Sequence, residues 1–348
     1  MTPDLGTPDL GTPDSGEPTP RSGAVHPGTP PDRAPTTAGR PTGDAPSVVA
    51  IVGPTATGKS DLGIAVAEAV GGEVVNADSM QLYDGMRIGT ATVPEQQRRG
   101  VPHHLLGVWD IQDPASVVRY RRQARDVIDE LLSRGVTPVL VGGSGLYVSA
   151  VLDDLEFPGT DPAVRARWES ALADRGSVAL HAELAAVDPA AAAAILPSNG
   201  RRVVRALEVV ELHGSFVATL PPSQPVYPSV RLGLELSRPE LDARIDARVQ
   251  RMWAEGLVDE VRRLVERGLR TAPTASRALG YAQVLRLLAG EYDEATAQAE
   301  TARATRAFAR RQQRWFRRDQ QVHWLDAAAG DLVDRTVGAV AQRAGTSR

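Results

Sequence analysis

The stretch Gly53-Pro54-Thr55-Ala56-Thr57-Gly58-Lys59-Ser60 fits the spacing G-x-x-x-x-G-K-[ST]. The chemistry of that pattern is anion binding, as in proteins that hold ATP. Glycines let successive backbone N–H groups curl around an oxyanion, and the helix that follows adds partial positive charge at its N-terminus. Lys59 adds a full charge, and Ser60 is placed to ligate Mg2+. Lys59 is also the only lysine among 39 basic residues, the other 38 being arginine. A chain that otherwise uses the larger planar guanidinium thus keeps one compact ammonium for this slot.

A second candidate is Asp78, in Asn76-Ala77-Asp78-Ser79-Met80-Gln81-Leu82-Tyr83, 18 residues after Ser60. A carboxylate following a strand has three readings: a Mg2+ ligand, a general base for an acceptor, or a helix N-cap. A GTPase is disfavoured, because the guanine-reading N-K-x-D needs a lysine and the single one lies in the loop. A motor ATPase would carry an aspartate after its hydrophobic Walker-B strand. Here Val136–Val141 runs into Gly142-Gly143-Ser144-Gly145 instead.

These residues need a scaffold that brings strand ends to one edge. Val48–Val52 reads as a buried strand, and Lys59–Val70 as a helix with apolar residues at 62, 65, 66, 69 and 70. Glu73–Asn76, Val136–Val141, Val230–Leu236 and Val322–Leu325 are further strand candidates, with a helix over Val117–Arg134. The alternation predicts an α/β fold: a P-loop NTPase-like parallel sheet with flanking helices. Helical patterns start at Asp161-Pro162, cover Ala185–Leu196 and Arg201–His213, and end at the proline-rich Pro221–Pro228. They predict a helical insertion domain over 158–228, set into a core of 47–157 and 229–345. Residues 1–46 hold 11 of the 26 prolines and the repeat TPDLG-TPDLG-TPDSG, so they are expected to be a disordered tail.

Composition excludes more than it assigns. With no cysteine, disulfides, thiolate nucleophiles and Cys-held metals are out. No apolar run approaches the ~20 residues of a membrane span, and no signal segment opens the chain, so a cytoplasmic protein without a membrane partner is expected. The net charge is −4, of which the tail carries −3, leaving the rest near neutral. Local basic patches remain compatible with RNA. Arg303, Arg306, Arg310, Arg314 and Arg317 recur at helical spacing, and 303–318 contains seven arginines and no acid. That face is expected to contact phosphate. His103 and His104 lack the spaced partners of a metal site and read as structural.

Taken in order, the chain resembles the tRNA dimethylallyltransferases, also called tRNA adenosine-37 isopentenyltransferases. The resemblance rests on GPTATGKS at 53–60, ADSMQLY at 77–83, RIGTA at 87–91, PHHLL at 102–106 and VGGSGLY at 141–147. It continues with RRVVRALE at 201–208, RIDARVQRM at 244–252, ALGY at 278–281, ARRQQRWFR at 309–317 and VHWLD at 322–326. It implies transfer of the dimethylallyl group of dimethylallyl diphosphate to N6 of adenosine-37, beside the anticodon, on a flipped-out base. The implied diphosphate site is Gly53, Pro54, Thr55, Ala56, Thr57, Gly58, Lys59 and Ser60, with Mg2+ on Ser60 and Arg248 on the diphosphate. Asp78 matches the family's general base. Ser144 stands where the family often has threonine, with a role in catalysis and at the tRNA.

Ser79, Met80 and Gln81 match the residues around the target base. Arg165, Arg201, Arg202, Val203, Val204 and Arg205 match tRNA-contacting positions of the insertion, and Arg277, Gly280 and Tyr281 a further tRNA stretch. Ala282 departs from the basic residue common after GY. The expected partners are tRNA, through its anticodon stem-loop, and dimethylallyl diphosphate, with the chain acting as a monomer. The alternatives are an adenylate isopentenyltransferase acting on AMP or ADP, a P-loop small-molecule kinase, and a non-enzymatic RNA-binding protein.

Overall fold

The computed structural model describes residues 48–217 and 224–345, so the expected tail and part of the proline-rich linker lie outside the described residues. The chain runs β1 (Val48–Val52), α1 (Lys59–Val70), β2 (Gly72–Asn76), β3 (His103–His104), α2 (Val117–Ser133), β4 (Thr137–Gly142) and α3 (Gly145–Leu152). Three helices follow, α4 (Pro162–Val187), α5 (Pro189–Ala193) and α6 (Gly200–His213). It then continues through β5 (Ser229–Glu235), α7 (Arg238–Ala254), α8 (Leu257–Glu266), α9 (Tyr281–Leu288), α10 (Glu294–Phe316), β6 (Val322–Asp326) and α11 (Leu332–Gly345).

The six strands form one parallel sheet in the order β3-β2-β4-β1-β5-β6. Every residue of β1 is buried, as an unbroken valine-rich run between covered faces requires. One apolar layer sets Ile51, Leu62, Ile64 and Val66 against Val139, Val141 and Leu232. The other joins Val52, Tyr83, Trp109, Tyr120, Leu140 and Val151 to residues of α7, α8 and α9. β1 sits where the chain turns from one half of the sheet to the other. Its carboxyl end is therefore the crevice in which α/β sheets bind ligands, and the 53–60 loop leaves from it.

β3 is the element that periodicity did not reveal. It is only His103–His104, paired with Val74 and Val75. His104 Nε2 lies 2.6 Å from Glu73, and His103 Nδ1 is 2.9 Å from the Val101 carbonyl, so both histidines have local partners. In the 158–228 stretch, α4, α5 and α6 bury an apolar cluster of their own around Leu180, Leu184, Ile195, Val203 and Leu207. The alanine-rich segment is not one helix. Asp188 ends α4 and caps α5 through Ala191 N–H, ahead of Pro189.

Candidate active site

Gly53 opens the loop with φ +132°, and a Cβ there would lie 2.6 Å from the Leu234 carbonyl oxygen of β5. Only glycine lets the chain turn this close to the neighbouring strand. Gly58, also at positive φ, precedes the first turn of α1. The loop is braced internally, since Thr57 Oγ1 donates to Pro54 O at 2.9 Å and Lys59 Nζ donates to the same carbonyl. Burial, and then the nearby Arg248 guanidinium, bring the Lys59 ammonium down to about 7, while Asp78 opposes them. Arg248, from α7, is lowered mainly by burial. Asp78 supports its charge and Arg251 works against it. Lys59 from α1, Arg248 from α7 and Asp78 from beyond β2 thus lie within electrostatic reach of one another.

Lys59 and Arg248 border a cleft of about 940 Å3, lined also by Ser60, Gln81 and Met86, and by Arg244 and Arg251. Asp78 lies outside that lining. Asn76, 3% exposed, sets its backbone. Asn76 Oδ1 accepts from Asp78 N at 2.9 Å, while Nδ2 donates to the carbonyls of Asp78 and Leu105, each at 3.0 Å. Tyr120 donates to the Asn76 carbonyl at 2.8 Å, and burial pushes that phenol well above its ordinary range, so it remains a donor. Asp78 Oδ1 accepts Met80 N–H at 2.9 Å. Oδ2 has no hydrogen-bond partner among the described residues. Ser144 Oγ accepts from Ser79 N at 3.1 Å and donates to Ser79 Oγ at 3.2 Å, tying the glycine-rich turn after β4 to the Asp78 segment.

A buried carboxylate fixes the cleft's other wall. Glu260, 4% exposed, accepts the backbone N–H groups of Arg87, Ile88 and Gly89 and the Tyr281 hydroxyl, the last at 2.6 Å. The loop so held presents the Thr90 carbonyl, which accepts from Gln81 Nε2 at 3.1 Å and Arg248 Nη2 at 3.3 Å. Asn76 and Glu260 are thus positioning residues. Asn76 had a signal, as a polar residue closing a strand just before the candidate acid. Glu260 had none, since its backbone partners lie over 170 residues away in sequence.

The implied tRNA positions differ in how their side chains are placed. Val203, Val204 and Tyr281 are 2% exposed or less, so their side chains pack the interior rather than face a ligand, and Gly280 is buried beside Tyr281. Arg165 and Arg205 both close on Glu208, a fully buried carboxylate that also accepts from Thr160. Burial alone would raise Glu208. The hydrogen bonds from Thr160, Arg205 and Arg165 outweigh it and hold the carboxyl below the usual range. Arg201 and Arg202 are exposed on the first turn of α6, and Arg201 lies near the exposed Arg277 of the core and near Glu169. On α10, Arg303, Arg306 and Arg317 pair with Glu300, Asp246 and Glu235, two of these acids arriving from distant elements. Arg310 and Arg314 are exposed and make no ion pair among the described residues.

Fold and site together define a parallel α/β protein with a strand–glycine loop–helix unit feeding an arginine-lined cleft. Family models described as IPP transferase and Isopentenyl transferase match residues 81–319 and 46–102. The chain belongs to the tRNA dimethylallyltransferase family. It is 61% identical over 302 residues to the tRNA dimethylallyltransferase of Thermobifida fusca, covering 85% of this chain and 95% of that one. It is 64% identical over 293 residues to that of Frankia casuarinae, covering 84% and 100%. Among solved structures, the full-length tRNA isopentenylpyrophosphate transferase of Bacillus halodurans superposes with a TM-score of 0.64 at 38% identity, over 86% of this chain and 98% of that one. A eukaryotic dimethylallyltransferase captured acting on tRNA gives 0.67 at 25% identity, over 84% and 77%.

Proposed function

We propose that the protein transfers the dimethylallyl group from dimethylallyl diphosphate to N6 of adenosine-37 in tRNA, releasing diphosphate. The observation that carries this reading is the convergence of Lys59, Arg248 and Asp78 from three separate elements. Two cations suit a departing diphosphate, and a carboxylate beside them suits a proton leaving the nucleophile. The named relatives act on tRNA, and one structural neighbour was captured doing so.

In this mechanism the 53–60 loop cradles the diphosphate through its backbone N–H groups. Lys59 and Arg248 stabilise the charge that builds as the C–O bond of the donor breaks. The adenine amino group is conjugated and weakly nucleophilic. Asp78 Oδ2 takes one N6 proton as the C–N bond forms, a contribution worth about 10²–10⁴-fold for general-base catalysis. Ser79, Met80, Gln81 and Ser144 border the flipped base, and Arg201, Arg202 and Arg277 hold the RNA backbone. The protein is read as a cytoplasmic monomer; no helix among the described residues is long and apolar enough to cross a membrane.

Mg2+ fits this site in a limited way. Among the described residues no cluster of three or more His, Asp or Glu side chains is placed to hold a metal, so the protein alone offers no cage. Mg2+ commonly takes one or two protein oxygens and fills its octahedron with phosphate and water. Ser60, half-buried on the cleft wall, would be the protein oxygen. When bound, the ion would offset charge on the departing diphosphate.

Parallel reactions with tRNA, AMP and labelled ATP test the reading. Prenyl transfer to tRNA alone is the expected outcome. Transfer to AMP at comparable kcat/KM would favour the free-nucleotide enzyme, and phosphate transfer from ATP would favour a kinase.

A further inference from the structure

Gln312, on α10, is 5% exposed and stands where two loops distant in sequence meet. Its Oε1 accepts the backbone N–H of Thr55 at 2.9 Å, and its Nε2 donates to the Gly143 carbonyl at 2.9 Å. Thr55 belongs to the loop read above as the diphosphate cradle. Gly143 precedes Ser144, whose hydroxyl accepts from Ser79 N–H, one residue after Asp78. The approach at Gly143 is so close that a Cβ there would collide with Gln312 Nε2 and lie 3.3 Å from the Gly53 carbonyl oxygen. One turn further along α10, Trp315 lies on Gly145, where a Cβ would collide with its indole. The inward face of this helix therefore rests on both loops.

We infer that Gln312 is a positioning residue that fixes the spacing between the donor loop and the loop that braces Asp78. It thereby sets the distance over which the dimethylallyl carbon meets the adenine nitrogen. The inference rests on the proposed reaction. Its physical basis is that a neutral amide carries its acceptor and its donor on two separate atoms, so one buried side chain can bond two backbone groups on opposite loops. Glutamate, with the same length, would set a carboxylate oxygen against the Gly143 carbonyl. Asparagine keeps the amide but is one methylene too short to span both partners. Methionine keeps the bulk and removes both bonds. Reacting atoms must approach within about 3–3.5 Å, and an error of about 1 Å costs on the order of 10²-fold in rate. A spacing fault of this kind appears in kcat while ground-state binding persists.

The test compares wild type with Gln312→Glu, Gln312→Met and Gln312→Asn in the full chain. Steady-state kinetics use tRNA and dimethylallyl diphosphate, with thermal unfolding followed on the same preparations. The expected result is a kcat lowered by about 10–100-fold for Q312E and Q312M and less for Q312N. Both KM values should stay within about threefold, with rates counted per folded molecule. A kcat within about twofold of wild type in any folded variant lacking both bonds would overturn the inference, as would a loss that vanishes once rates are corrected for the folded fraction. If wild type itself transfers no prenyl group to tRNA, the reaction assignment fails. If wild type is active and the variants match it, only the role of Gln312 fails.

Discussion

In the cleft, Arg248 shares its space with another cation, Lys59, and has Asp78 as its acidic neighbour. In the insertion, Arg165 and Arg205 converge on the buried Glu208. Each group sets two cations near one carboxylate, but the contacts differ: Arg165 and Arg205 donate directly to Glu208, whereas Lys59 and Arg248 donate to the carbonyls of Pro54 and Thr90. Glu208 takes direct hydrogen bonds from both arginines, so their work is to hold the 158–161 segment against α6, with Arg205 also donating to the carbonyls of Pro158 and Gly159. The cleft lining sets Lys59, Arg87, Arg98, Arg244, Arg248 and Arg251 against Asp61, Asp84, Glu95 and Glu255, a smaller acidic complement that leaves room for an anion. Direct pairing with a carboxylate, more than arginine content, separates the insertion from the cleft.

The largest expected effect comes from the one carboxylate in the cationic cluster. Asp78→Asn should lower single-turnover prenyl transfer by about 10²–10⁴-fold while leaving dimethylallyl diphosphate binding intact. Equal loss of binding would mean that Asp78 shapes the site rather than accepting a proton.

The second effect is pH-dependent. Lys59 titrates near 7 in the free protein, and a bound diphosphate favours its protonated form. Above that pH, binding must take up a proton, so donor affinity should fall with rising pH. The limiting slope is about tenfold per pH unit while the bound ammonium still holds its proton. Calorimetry in buffers of different ionisation enthalpy measures this uptake, and Lys59→Arg should abolish it. A flat profile in wild type would mean that donor binding does not change the protonation of Lys59.

In the insertion the same logic predicts a stability effect. Glu208→Ala leaves two arginines and Thr160 without their shared acceptor and should cost about 1–3 kcal/mol in urea unfolding. Arg165→Ala should cost less, because Arg205 and Thr160 still satisfy Glu208. Smallest is the effect on RNA. Arg201→Ala and Arg277→Ala should each reduce the salt dependence of tRNA affinity by about one unit of slope, with Arg165→Ala leaving it unchanged. A reduced slope for Arg165→Ala would collapse the distinction between paired and unpaired arginines.

Most of the sheet was legible because its signals are local. Val48–Val52 and Lys59–Val70 match the observed bounds of β1 and α1, and the other expected strands differ by about a residue at their ends. The loop was legible through spacing, and Asp78 through its place after a strand. Other features depend on residues far apart in sequence. β3 is two residues long and has no period to detect. Glu260 reads as one more acid on an amphipathic helix until the fold brings it to Arg87, Ile88 and Gly89. The acid-free run on α10 was misleading for the same reason, because Asp246 and Glu235 approach Arg306 and Arg317 from α7 and β5. Burial, likewise, separates Val203, Val204 and Tyr281 from the exposed arginines beside them, although all share the same motifs.

The most direct measurement of the central claim is mass spectrometry of anticodon-loop fragments. Unmodified tRNA is incubated with dimethylallyl diphosphate and either wild type or Asp78→Asn. A five-carbon adduct confined to adenosine-37 is predicted for wild type, with little or none for the variant over the same time. No adduct with wild type, or equal adduct with both proteins, would contradict it.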